Sequence, residues 1–273
     1  YVGYVGLAVP AALALAALIA RQPDAFMRAA RPWALGSWLF LGVGLLLGAR
    51  WAYDVLGWGG YWGWDPVENA GLMPWLIATG MLHALGAPRR GVAARAWAAA
   101  LAVVSFLLVI AGTFITRSGM IASVHAFALS SVGPPLLAFL GVATLGSVAL
   151  FLARAQELAP SEGAAGDPDG SAVLSRAGLT SLTLVLLCTL TASILIGTLL
   201  PTLTEALGGR PLAAGPDWFD RVTGPQFAGL VLLMGLCPLV GRMVGDSLRM
   251  GGILPALLGG IVLPGVIAAA GVG

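Results

Sequence analysis

The sequence predicts an all-α, polytopic membrane helix bundle, and three observations predict it. The chain is 59% hydrophobic and 10% charged, with a mean hydropathy of +0.94, whereas soluble domains carry about 25% charged residues. Its apolar residues form eight long runs free of acid and arginine, each near the roughly 20 residues a helix needs to cross a hydrocarbon core. Its arginines fall preferentially in alternate gaps between those runs. Strands of a membrane barrel would be shorter and would alternate in polarity.

The eight runs centre on residues 1–20, 33–49, 70–87, 96–116, 133–153, 178–201, 226–241 and 252–271. All fourteen cationic side chains are arginine, and ten of them (Arg21, Arg28, Arg31, Arg89, Arg90, Arg95, Arg154, Arg176, Arg242 and Arg249) lie in one alternate set of gaps. The positive-inside rule assigns that set to the cytoplasm. The N-terminus and the segments 50–69, 117–132 and 202–225 then face outward. A net charge of +2 is too small to indicate a nucleic-acid partner.

The three outward segments differ in character. Residues 57–71 hold a tryptophan-rich run. In residues 117–132, Met120, Val124 and Phe127 recur at helical spacing, which predicts an amphipathic helix lying at the membrane surface. Residues 202–225 mix Pro, Gly, Asp and one Trp and read as an irregular loop. On the cytoplasmic side, 154–177 is a polar Gly/Pro-rich linker. The chain thus divides into a core over 1–153, that linker, and further membrane helices over 178–273. It opens on Tyr1 and stops in apolar sequence, so it is expected to be an excerpt of a longer protein.

In "WGGYWGWDPVENAG", Asp65 is a strong N-cap, Pro66 suits the first helical position, and Glu68 can close a capping box. The third membrane helix is therefore expected to start at Pro66. Both acids suit the positive end of its dipole, and acid–base chemistry is the competing role. Trp33, Trp51, Trp97 and Trp218 fit the aromatic belt of a membrane interface. Trp58, Tyr61, Trp62 and Trp64 fit it poorly, because belt residues need no glycines like Gly57, Gly59, Gly60 and Gly63 around them. Glycine lets another body approach the backbone closely. A flat aromatic floor relieved by glycines suits a large planar apolar ligand.

The chain has two histidines. His83 lies about 18 residues past the cap, roughly 27 Å down the helix at 1.5 Å per residue. An ionisable side chain at that depth marks a site or is satisfied by a neighbouring helix; imidazole is a common iron ligand. His125 lies on the opposite, outward side, where an ordinary surface histidine and a ligand fit equally. The two lie too far apart to share one iron. Arg117 faces the same side as the tryptophans, and either pairs with a carboxylate ligand or stands as a plain rim arginine. Cys188 and Cys237 lie in apolar runs, and with no C-x-x-C-H the chain attaches no haem of its own.

These residues carry a resemblance. "WGGYWGWDPVEN" resembles the tryptophan-rich WWD signature of the haem-handling protein superfamily. "WDPVENAGLMPWL" with "GTFITRSGMIASVHAF" is similar to its CcmF family, the haem lyases of cytochrome c maturation system I. The likeness covers at least residues 1–150, and "YVGYVG" and "IGTLLPTL" share it. It implies that His83 ligates a resident transmembrane b-type haem, and that His125 ligates a transient substrate haem over the WWD platform. Further implied are delivery of haem by the chaperone CcmE, its reduction, and thioether attachment to the C-x-x-C-H thiols of an apocytochrome c presented by CcmH/CcmI-type subunits. The enzyme would be a holocytochrome c synthase acting in a complex, in the bacterial inner membrane with the WWD segment on the periplasmic side. Two further family histidines, one before "YVGYVG" and one in a later helix, have no counterpart here. A dedicated nitrite-reductase relative shares the same motifs. The alternative of another class is a haem exporter or other polytopic transporter, which Pro74 and helix glycines would serve by breaking helices.

Overall fold

The structure is a computed structural model that describes residues 1–55, 60–86, 92–118, 131–154 and 176–243. It is all-helical, in the order α1 (Val2–Gly6), α2 (Ala8–Ile19), α3 (Pro23–Val55), α4 (Pro66–Gly86), α5 (Val92–Arg117), α6 (Gly133–Ala153), α7 (Arg176–Ala206) and α8 (Pro216–Met243). Among the described residues, five segments are long and apolar enough to cross a membrane: Val2–Ile19, Pro23–Val55, Ala94–Arg117, Gly133–Ala153 and Gly178–Ala206. The expected third and seventh spans exist as α4 and α8 but fall outside that set. In α4 the reason is dilution by Asn69, Pro74, Thr79 and His83. The expected run at 252–271 lies outside the described residues, as does most of the amphipathic segment 117–132, of which Arg117 closes α5.

Helix α4 is the hub, packed against α3, α5 and α7. Met73, Ile77, Met81 and Leu85 recur along its buried side and meet Ala98, Leu101, Ala102 and Leu108 of α5 and Leu187, Leu190 and Ile194 of α7 in one continuous core. Helix α6 touches mainly α5 and buries only Gly133 and Ser147. A cleft lined by Val103, Leu107, Ser147 and Phe151 runs between those two helices.

The hydroxyls inside these helices satisfy themselves. Thr183, Thr191, Thr198 and Thr223 each donate to the carbonyl four residues earlier, at 2.7 to 2.9 Å, so an apolar surrounding imposes no unpaired donor.

Pro74 does not break α4, contrary to what a transporter reading would require. A proline at 74 removes the N–H that would bond the Ala70 carbonyl; the Tyr4 hydroxyl of α1 donates to that carbonyl instead, at 2.6 Å. Gly112 of α5 makes room, since a Cβ there would lie 2.7 Å from the Tyr4 oxygen and 3.1 Å from the Ala70 oxygen. Tyr4→Phe is therefore expected to destabilise the bundle by about 1–3 kcal/mol, the cost of orphaning one buried acceptor. It should be read as a lower thermal midpoint in detergent.

The expected loop at 202–225 is a correction. Helix α7 continues through Pro201 to Ala206 and α8 starts at Pro216, which leaves 207–215 as the connection. Pro216 and Asp217 form a helix start of the same kind as Pro66 and Glu68. Trp218 and Phe219 then dock over Gly197, where a Cβ would collide with both rings.

Candidate functional site

The site is built from the start of α4 outward. Asp65 Oδ1 accepts from Val67 N at 2.9 Å, and Glu68 Oε2 accepts from Asp65 N at 3.1 Å and from Gly63 N at 2.9 Å. The capping box expected from the sequence is thus formed, and Glu68 also gathers the preceding turn. Asp65 is buried and caps α4.

Trp64 is held in the left-handed backbone region, φ 56°, which costs an L-residue roughly 1–2 kcal/mol. Four contacts hold it there. Its carbonyl accepts from Asn69 Nδ2 at 3.1 Å, and the same amide donates to Thr198 Oγ1 of α7 at 3.0 Å. Its indole Nε1 donates to Asp220 Oδ1 of α8 at 2.8 Å. Its ring stacks on Phe219, centroids 5.0 Å apart at 10°, and meets Trp62 edge to face at 5.9 Å and 89°.

The expected flat floor is therefore not a single plane. Trp62 stands perpendicular to Trp64. Tyr61 turns away to stack on Tyr53 of α3, centroids 4.5 Å apart at 10°, beside the Arg50–Asp54 ion pair of 2.8 Å. The edge-to-face geometry has a physical reason, because the ring quadrupole favours it over face-to-face contact. Trp62 Nε1 is buried with no hydrogen-bond partner among the described residues. Trp58 and His125 lie outside the described residues. Arg117 lies at the same end of the bundle, with Nη2 3.3 Å from the Tyr1 hydroxyl.

His83 sits in the last turn of α4 and is exposed, beside the half-buried Thr79 and Leu82. Its Nδ1 lies 2.8 Å from the Thr79 carbonyl oxygen. A carbonyl only accepts, so Nδ1 carries the proton of this contact, which in the neutral tautomer leaves the lone pair on Nε2. One turn back, Trp38 Nε1 donates to Thr79 Oγ1 at 2.8 Å and Trp38 stacks on Trp75, centroids 5.5 Å apart. Among the described residues no three His, Cys, Asp or Glu side chains converge as for a protein-only metal site.

Sequence reasoning missed Asn69, Thr198, Phe219 and Asp220. The signal that could have found the last two was "GPDWFD", a proline–acid helix start with aromatics inside a segment read as loop. Trp97 and Trp218, expected in the interfacial belt, are half-buried against the core.

An all-helical bundle with several membrane-length segments, carrying a pinned tryptophan pair at one end of its central helix and an open imidazole at the other, defines the class: a multi-span membrane protein. The chain belongs to the cytochrome c assembly family, in the group that contains CcmF and its relatives; the family "Cytochrome C assembly protein" matches residues 1–122. It is 41% identical over 273 residues to the cytochrome c-type biogenesis protein CcmF of Pseudomonas aeruginosa, covering 99% of this chain and 40% of that protein. It is 40% identical to CcmF of Escherichia coli, with 88% and 36% covered. It is 44% identical to the probable cytochrome c-type biogenesis protein NrfE of Escherichia coli, with 86% and 41% covered. A solved structure titled Cytochrome c Heme Lyase CcmF is similar at a TM-score of 0.72 and 34% identity, over 98% of this chain and 39% of that one. The chain spans about 40% of the length of these relatives.

Proposed function

We propose that this chain is the haem-handling part of a cytochrome c haem lyase in the bacterial inner membrane. Substrate haem is held on the periplasmic side at Trp58, Trp62 and Trp64, with Tyr61, Asp65 and Arg117 around it and His125 as its iron ligand. Thioether attachment to the C-x-x-C-H thiols of apocytochrome c follows, with CcmE delivering haem and CcmH/CcmI-type subunits presenting the thiols.

One observation carries the reading: α4 is capped at one end by the pinned Trp62–Trp64 pair and bears at the other an exposed imidazole oriented through its Nδ1. The donor set fits haem. A macrocycle brings four ligands of its own to iron, so a lone histidine suits it where a bare metal ion would want several side chains. The partnerless Trp62 Nε1 fits an acceptor on the substrate, such as a propionate. His83 would hold the resident b-type haem, which when bound supplies an electron for the substrate iron. The protein's own contribution is positioning: the Thr79 carbonyl fixes the His83 tautomer and ring, and the capping box and Asn69 fix the tryptophans, so that thiol and vinyl can be brought together.

The test is an absorption spectrum of the full-length protein purified from membranes. A Soret band with reduced b-type α and β bands is expected; a colourless preparation would sink the resident-haem reading. Trp62→Ala should weaken capture of chaperone-delivered haem by about tenfold or more while leaving that spectrum in place.

A further inference from the structure

We infer that the α7–α8 hairpin is part of the haem platform, with Phe219 and Asp220 as positioning residues that act through Trp64. The inference rests on the platform reading and assigns a role to residues beyond the 1–122 that the family matches.

Trp64 occupies a backbone region that a bulky L-residue does not hold unaided; among the described residues only Arg21 and Trp64 do so without being glycine. Release of that φ would swing the indole away from Trp62, so whatever holds Trp64 also decides what the platform presents. The holding groups come largely from the hairpin. Asp220 Oδ1 takes the indole proton at 2.8 Å, and Phe219, only 2% exposed, lies flat beneath the ring. Thr198 of α7 anchors the Asn69 amide that in turn holds the Trp64 carbonyl. Phe219 is itself seated by Gly197 of α7, where the missing Cβ lets its ring and that of Trp218 approach the backbone.

Two consequences follow for a planar ligand. Phe219 covers one face of the Trp64 indole and Trp62 meets the ring edge to face, so a stacked ligand would take the face opposite Phe219. Asp220 consumes the Trp64 N–H, which leaves Trp62 Nε1, among the described residues of the platform, as the indole donor without a partner. The hairpin thereby sets which face is offered and which donor is kept for a porphyrin carboxylate. A packing role alone would require only the buried Phe219; it would not require an exposed carboxylate to bond the indole across 156 residues of sequence.

The experiment titrates haemin into the full-length protein in nanodiscs and follows the outward site by its Soret difference, with the resident-haem bands as a check on folding. Asp220→Leu is expected to weaken haemin binding by about 3- to 10-fold. Asp220→Asn retains an acceptor for the same N–H and should stay within about twofold of wild type. Trp64→Phe should weaken binding by about as much as Asp220→Leu, and the double variant should lose no more than either single one, because both remove one bond. Full additivity, or wild-type binding by Asp220→Leu while Trp64→Ala loses haemin, overturns the inference. Wild-type binding by Trp64→Ala refutes the platform reading instead. The indole N–H resonance of Trp64 then decides the positioning: Asp220→Leu should shift it and Asp220→Asn leave it, and an unmoved resonance in Asp220→Leu overturns the inference without reference to haem.

Discussion

Replacing His83 by alanine in the full-length protein is expected to remove the reduced b-type α and β bands almost completely, and to lower cytochrome c maturation by at least about tenfold, the scale of losing a metal-site contact. The expected loss is chemical, because His83 is exposed and, among the described residues, its side chain bonds to the carbonyl of its own helix. Truncating such a residue changes stability by about 0.5 kcal/mol or less, so the thermal midpoint of the apoprotein in detergent should match wild type. His83→Gln keeps a polar side chain of similar reach without an imidazole and should be equally colourless. Retained b-type bands in either variant would move the iron to other ligands and leave His83 as a histidine that merely caps its last turn.

How far the sequence was legible depends on the range over which each interaction acts. The capping box at Asp65 to Glu68 spans four residues, and both its bonds form as the residue types require. The apolar runs were legible for the same reason, since each helix must satisfy its own backbone in lipid. The Pro74 site shows where local rules stop. Proline predicts a break, and only the fold supplies a Tyr4 hydroxyl from 66 residues earlier to occupy the vacated Ala70 carbonyl.

The platform divides along the same line. That Trp62 and Trp64 gather beside the start of α4 could be read from residue types. That Trp64 is pinned by Asn69 to Thr198 and by its indole to Asp220 could not, because those bonds close 129 and 156 residues of sequence. Tyr61 belongs by composition to the aromatic cluster, yet a nearer partner, Tyr53 at the end of α3, takes its ring. The Gly/Pro/Asp density of 202–225 read as loop because turn and helix-start residues are the same residues. What distinguishes them here is Gly197, which offers Trp218 and Phe219 a surface to dock on.

Gly197→Leu is expected to do at the outward site what His83→Ala does at the inner one. A Cβ at 197 would already meet the rings of Trp218 and Phe219, and the helix backbone that carries it cannot yield without losing its own bonds. Overpacking of this kind costs about 1–3 kcal/mol, and Phe219 can relieve it only by leaving the face of Trp64. Without that stack and the adjacent Asp220 bond, the left-handed φ of Trp64 is no longer offset, and the indole relaxes away from Trp62. Haemin capture should therefore fall to the level of Trp64→Ala, while the resident-haem spectrum persists, since His83 lies at the other end of α4. Gly141→Leu is the matched control: nothing lies within 4 Å of a Cβ there on α6, so the same side chain should leave both spectra as they are. Undiminished haemin capture by Gly197→Leu would mean that the hairpin packs beside the platform without shaping it.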